Sequence, residues 1–299
     1  MRISELNDGV GATRGEGVLG LRVEQFRLGA AMLLLFGVSL ARPARADSAI
    51  NALHWRMGPV SEAIGSQATL SIPKGYAFLR PAAAKKFLTL EKNPTGSISE
   101  YILAPSSLAW FAVMDFDNSG YVSDNAPLKP HAILKNLIDN TNSSNALRNS
   151  HGWPTLSVLG WLDKPRYRTH QHRLEWAVDL QDSNHQRLTN YNTKILGRDG
   201  VMNIVMVGDR GALIADEAEL NSVLNAFHYN PGKTYSEHAS GDKVAGYGLA
   251  ALITGGAAAV AVKSGLFASL LAGLAALWKV LLVGVVGIGS YLRKMFRRK

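Results

Sequence analysis

His170 and His172 stand two apart, with Glu175 close behind. On a strand that spacing puts both imidazoles on one face, and a His-x-His pair beside a carboxylate could begin a zinc site. No third ligand follows at a metal spacing, so His172 reads as a hydrogen-bonding structural residue. Asp115-Phe-Asp117-Asn-Ser119-Gly120-Tyr121-Val-Ser123 offers oxygens at loop positions 1, 3, 5 and 9 of a calcium loop, with glycine at 6. Position 12, where a bidentate glutamate belongs, is Ala126, and a strand-like run precedes the loop in place of a helix. A hairpin turn with Asn-Ser-Gly supplying positive φ accounts for the same residues.

Gly232-Lys233-Thr234 ends like a phosphate loop, but the first glycine of that motif would fall at Phe227. No Gly-x-Ser-x-Gly nucleophile elbow occurs. The chain has no cysteine, which removes disulfides, thiolate catalysis and Cys-ligated metals. No catalytic residue, cofactor or metal is assigned. Aromatic residues are the remaining chemical signal: Trp55, Trp110, Trp153, Trp161 and Trp176, with Tyr101, Tyr121, Tyr167 and Tyr191. In a strand-rich domain they read as core. The other reading is a ligand- or peptide-binding surface of Trp161, Tyr167, His172, Glu175, Trp176 and Arg198. Arg166, Arg168, Arg173, Arg187 and Arg198 would line that groove, or would form a solvated sheet face.

The elements that must position these residues lie between 47 and 240. Strands are expected at Gln67–Ile72, Ser97–Leu103, Leu108–Met114, Leu156–Leu162, Arg173–Leu180, Arg187–Leu196 and Val201–Val207. Helices are expected at Pro81–Leu90, His131–Asn149 and Asp216–Phe227. Strands outnumber helices and run consecutively, which predicts an α+β fold: an antiparallel sheet with helices packed on one face.

Charge separates the ends from this middle. Residues 47–240 hold eighteen Lys/Arg and eighteen Asp/Glu, whereas 241–299 hold eight and one. The net charge of +9 therefore belongs to the termini, and a neutral middle argues against a nucleic-acid partner. Leu28–Ala41 is a short apolar run preceded by Arg22 and Arg27 and followed by the A-x-A site Ala44-Arg45-Ala46. That is the anatomy of a signal peptide over 1–46 with cleavage before Asp47, an uncleaved anchor being the alternative. At the other end, Val244–Val262 is free of charge, as are Ser264–Trp278 and Val280–Leu292, before a basic end from Arg293 to Lys299. Runs of this length cross bilayers, so 241–299 reads as a membrane-anchoring region with a basic tail. The crossing is expected at Val244–Val262, with Leu266–Leu292 or a hairpin of two crossings as the other registers. Ala251, Gly255 and Ala259 repeat every fourth position, which would allow helix packing into a homo-oligomer.

Spaced matches extend through most of the chain. They include Ile72-Pro73-x-Gly75-Tyr76, Asp117-x-Ser119-Gly120-Tyr121-Val122 and Gly152-Trp153-Pro154. Gly160-Trp161-x-x-x-Pro165-x-Tyr167-x-x-x-x-His172-x-Leu174-Glu175-Trp176-Ala177 follows, then Asn190-Tyr191-Asn192-Thr193 and Leu196-Gly197-Arg198. Gly241-Asp242-Lys243-Val244-Ala245-x-Tyr247-Gly248-Leu249 completes the set. In this order, over about residues 58–290, the chain resembles a bacterial family of uncharacterised membrane-anchored proteins, a domain of unknown function. Arg168 departs from the pattern, where an acidic residue is expected. The resemblance implies an envelope protein and supplies no catalytic residues. The functional expectation is a non-enzymatic binding, sensing or assembly module. It would sit at the bacterial cytoplasmic membrane with 47–240 outside, and its partners would be membrane lipid and an envelope protein. The rival is a periplasmic hydrolase using carboxylates and His172, which requires His172, Glu175 and a second acid to converge in a cleft.

Overall fold

From Arg173 to Asp209 three long strands follow one another through short turns, and nearly every residue in them is buried. A strand alternates its side chains between two faces, so burial along its whole length requires cover on both. The computed structural model describes residues 44–95, 99–125 and 127–255. Its first half comprises α1 (Ala44–Asn51), β1 (Arg56–Met57), β2 (Val60–Ile64), β3 (Ala68–Ile72), β4 (Tyr76–Leu79) and α2 (Pro81–Leu90). There follow β5 (Tyr101–Pro105), β6 (Phe111–Asp117), α3 (Pro130–Ser150), β7 (Leu156–Arg168) and β8 (Arg173–Asp182). The last elements are β9 (Arg187–Leu196), β10 (Val201–Asp209), α4 (Leu213–Leu224), β11 (Phe227–Tyr229) and α5 (Leu249–Thr254).

Eight strands form one sheet in the order β1-β4-β5-β6-β10-β9-β8-β7, and β11-β3-β2 form a smaller one. Every ladder between these strands is antiparallel. Met202, Ile204 and Met206 of β10 point to one side, where they meet Leu220 and Val223 of α4 and Leu70 of the small sheet. On the other side the cover is split. Val113 and Val207 pack with Phe87 and Leu88 of α2 and Ile50 of α1. Trp176, Val178 and Leu180 pack with Ile133 and Leu137 of α3 and Ile253 of α5.

The α+β architecture with an antiparallel sheet holds, but its helices do not keep to one face: α4 lies opposite α2 and α3. Sequence periodicity finds α2 and β9 residue for residue and places the other long elements. It misses β1, β2 and β4, and it runs α4 into Phe227. That residue belongs to β11, paired with Leu70 across the chain. Strand β7 extends to Arg168, beyond the expected Leu162, along the edge of the large sheet. Three register shifts and Pro165 break its regularity, features that discourage edge-to-edge pairing with another chain.

The fold does not stop at 240. Val244 bridges Tyr121, and Leu249, Leu252 and Ile253 are buried against α3. The first part of the expected Val244–Val262 crossing is thus part of the domain core. The small-residue stripe is also interrupted: Gly255 takes φ 111° as the left-handed C-cap of α5, so the helix that carries Ala251 ends there. Among the described residues no helix is long and apolar enough to cross a membrane. Ala259, the rest of the tail from 256 and the apolar run Leu28–Ala41 lie outside the described residues. Helix α1 runs across the expected Ala46/Asp47 cleavage point.

Ile253→Ala tests this packing. Removing a fully buried isoleucine from the α3–α5 contact should destabilise the domain by about 2–5 kcal/mol, read from urea unfolding of the sheet. Unchanged stability would show that 249–254 is not part of the core.

Candidate functional site

The loop after β6 and the segment 233–247 cross at one end of the large sheet. Tyr121 N–H donates to Lys243 O at 2.8 Å, and Ala245 N–H donates to Tyr121 O at 2.8 Å. Gly120 permits this approach: its φ is +98°, and a Cβ there would stand 2.6 Å from Lys243 O. Arg198, just past β9, fastens the segment from the side. Its Nε and Nη2 donate to the two oxygens of Asp242 at 2.7 and 2.9 Å. This guanidinium, helped by the Ala239 N–H, holds the Asp242 carboxyl well below the usual range.

The crossing lines up four rings, Tyr235, Tyr121 and His238 stacked and His172 tilted by 37° on Tyr235. His172 lies 4.3 Å from Tyr235, Tyr235 4.5 Å from Tyr121, and Tyr121 3.8 Å from His238, between ring centroids. Each terminal histidine has a carboxylate at hand. Asp242 Oδ2 is 3.4 Å from His238 Nδ1, and Asp124 Oδ2 is 4.0 Å from His172 Nδ1. Tyr167 O–H donates to Asp124 at 2.7 Å and lies 3.3 Å from His172 Nδ1. Burial and the neighbouring Asp124 charge push the Tyr167 hydroxyl far up, so it remains a donor. Tyr235 O–H is fixed by Val122 O at 3.0 Å. Tyr235 is buried, while both histidines, Tyr121, Tyr167 and Asp124 are half-exposed. Ring edges, imidazoles and carboxylate oxygens are thus gathered at one crossing.

Of the residues singled out in sequence, Tyr167, His172 and Arg198 are brought together here. Trp161 is set apart, half-buried with its Nε1–H on Pro130 O at 3.3 Å. Trp176 is wholly buried in the core and cannot serve as a surface. Glu175 is buried too, on the α4 side of the sheet, where it accepts from Arg168 at 2.6 Å and pairs with Arg173 at 3.0 Å. The other arginines expected to line a groove are engaged in the same way: Arg166, Arg187 and Arg198 pair with Asp163, Asp179 and Asp242. Sequence reading missed Asp124, Tyr235 and His238 altogether. Asp242 stands only in the motif fragments, without a role, and Tyr121 reads among the aromatics and the calcium loop, not as a stacking partner.

A second polar group sits on the same sheet face, between the two helical packs. The register sets Asn203 opposite both Asp115 on β6 and Lys194 on β9. Asn203 donates to Asp115 at 2.8 Å, and Tyr247 O–H donates to Asp117 at 3.2 Å. Lys194 is buried, with its ammonium 5.8 Å from the centre of the Trp176 ring. Burial pushes the Asp115 and Asp117 carboxyls up and the Lys194 ammonium down, each opposed by the other's charge. Of the residues weighed as a calcium loop, Asp115 and Asp117 are therefore strand residues facing a lysine, and Asn118–Ser123 form the loop after β6. Among the described residues no group of three His, Asp or Glu side chains is arranged to hold a metal. Gly232-Lys233-Thr234 is structural as well: Lys233 pairs with Asp199 at 2.6 Å, and Thr234 forms a capping box with Glu237.

Lys194→Met should leave Asp115 without its facing cation and Asp117 with Lys243 alone, and destabilise the fold by about 1–3 kcal/mol near neutral pH. Both carboxyls already titrate above the ordinary 3.8, and losing Lys194 raises them further. Such groups stabilise the fold while protonated and lose that contribution as pH rises, so the deficit should be smallest near pH ~4 and grow towards neutrality. Urea unfolding at the two ends of that range checks the sign.

Three solved chains are similar to this one. One is the solution structure of the cyanobacterial PsbP (CyanoP) from Synechocystis sp. PCC 6803. It has 6% sequence identity and a TM-score of 0.36 over 59% of this chain and 92% of that one. No curated protein matches. The family described as "Protein of unknown function (DUF2167)" matches residues 56–289, which takes in both sheets, the ring stack and the segment clamped by Arg198. The protein with this sheet and this stack therefore belongs to the DUF2167 family.

Proposed function

We propose that the protein is a non-enzymatic binding module of the bacterial envelope, and that the His172–Tyr235–Tyr121–His238 stack is its recognition surface. The observation that carries this reading is the assembly of four half-exposed or buried rings with Asp124, Tyr167 and the Arg198–Asp242 clamp at one edge. Rigid aromatic residues ringed by polar partners are the composition of interface hot spots, because they bury large area at little entropic cost. The hydrolase alternative needs His172 and Glu175 in one cleft. Glu175 instead serves two arginines on the opposite face, which favours binding over hydrolysis.

A photoreactive side chain at position 238, in the full chain in native membranes, should give one dominant crosslinked partner protein. That product should disappear with Tyr121→Ala, whose fold is verified by circular dichroism. Diffuse labelling, or labelling indifferent to Tyr121→Ala, would exclude the stack as the recognition surface.

Membrane attachment through the C-terminal region completes the reading. Since residues 244–255 are used in the core, the crossing on this reading is Leu266–Leu292, ahead of the basic end Arg293–Lys299. Positive clusters are retained in the cytoplasm, which leaves the folded domain outside. Lys279 then lies near mid-membrane, at a cost of about 2.5–3.5 kcal/mol on insertion scales. A reporter active only in the cytoplasm, fused after Lys299, should be on. Activity only from a periplasm-dependent reporter at that junction would mean two crossings.

A further inference from the structure

At the β1–β4 edge of the large sheet, far from the ring stack at β8 and β9, a cavity of about 360 Å³ opens beside α2. Four basic side chains line it, His54, Arg56, Arg80 and Lys86, over a floor that includes Leu53 and Ala83. Among the described residues no acidic side chain lines it. The carboxylate beneath it is Glu62 of β2, which is buried and organises the site from below. Arg56 Nε donates to Glu62 Oε1 at 2.8 Å, and Arg80 Nε donates to Glu62 Oε2 at 2.7 Å.

One carboxylate thus orients two guanidiniums, and each bond uses only the Nε–H. The terminal amino groups of both arginines make no bond to the described residues, and both side chains are more than half exposed. Burial alone would push Glu62 up, but the Arg80 and Arg56 hydrogen bonds outweigh it and keep the group ionised at neutral pH. With Lys86, three fixed positive charges face one buried negative charge. An exposed arginine ordinarily spends conformational entropy to order itself on a ligand; here both are ordered beforehand. Paired guanidinium forks match the oxygens of a phosphate, and the volume is that of a small-ligand site.

We propose that this cavity binds a phosphate group, carried either by a small soluble molecule or by a lipid headgroup, with Arg56, Arg80 and Lys86 as its ligands. Leu53 and the alanines accept the apolar stem next to the phosphate. Attraction of this kind weakens as salt rises.

The test uses the full chain in a non-ionic detergent and isothermal titration with two probes, inorganic phosphate and a short-chain phosphatidic acid. The expected result is saturable binding of at least one probe, weakened tenfold or more by Arg56→Ala, by Arg80→Ala and by Lys86→Glu. Lys86→Glu leaves both Glu62 ion pairs in place, so its effect does not depend on the folding of the arginine variants. Binding of inorganic phosphate, with or without phosphatidic acid, assigns the site to phosphate itself; binding of phosphatidic acid alone assigns it to a lipid headgroup. No binding of either probe, or binding unaffected by Lys86→Glu, overturns the proposal.

Discussion

Strands β6, β10, β9 and β8 are covered on both faces over most of their length, so most of the side chains they carry are enclosed by the protein. An uncovered sheet face can leave an asparagine or lysine to water, but these strands cannot. The hydrophobic residues on the α4 side meet this demand by packing. On the other side the helical cover is split into two clusters, and the strip between them is polar: Asp115 and Asn203 meet there with Lys194 and Asn192. Placing an ammonium among carboxylates makes a buried cation tolerable, because each charge offsets part of the other's desolvation. The polar strip and the split helical cover are thus two expressions of one constraint.

The same constraint reaches the ring stack through the segment that follows β11. Tyr247 reaches into the polar strip to donate to Asp117, while Tyr235, earlier in the same segment, closes on the strand end beside His172. Arg198 holds the segment down through a two-point hydrogen bond to Asp242 that ordinary surface ion pairs lack. The stack, the clamp and the strip therefore share one loop and one segment, and α5 extends that segment into the core against α3. The phosphate cavity is built differently. It relies on one buried glutamate under two arginines at the other edge of the sheet, independent of this crossing.

Several sequence expectations were limited by distance along the chain. The Asp115–Ser123 oxygens resemble a metal loop only while Lys194, on a strand much later in the chain, is left out of view. Glu175 looks like a partner for His172 because the two are near neighbours in sequence. The left-handed φ of 47° at His172 ends the turn there, and β8 then carries Glu175 to the other face. Val244–Val262 reads as one apolar run because hydropathy does not distinguish lipid from a protein core. Leu249, Leu252 and Ile253 are apolar for the second reason.

What the sequence determined by itself is what a local pattern can carry. Alternation and helical spacing locate α2, α3 and β7 to β10, and the consecutive strands identify an antiparallel α+β fold. The absence of cysteine excludes disulfides and thiolate chemistry. Tertiary structure alone decided which rings touch, since Tyr235 is 113 residues from the carbonyl that fixes its hydroxyl. It also decided that Trp176 is core and that five arginines are spoken for by carboxylates. The physical reason is the same in each case: burial and pairing are properties of the two faces of a sheet, and no single strand specifies what will cover it.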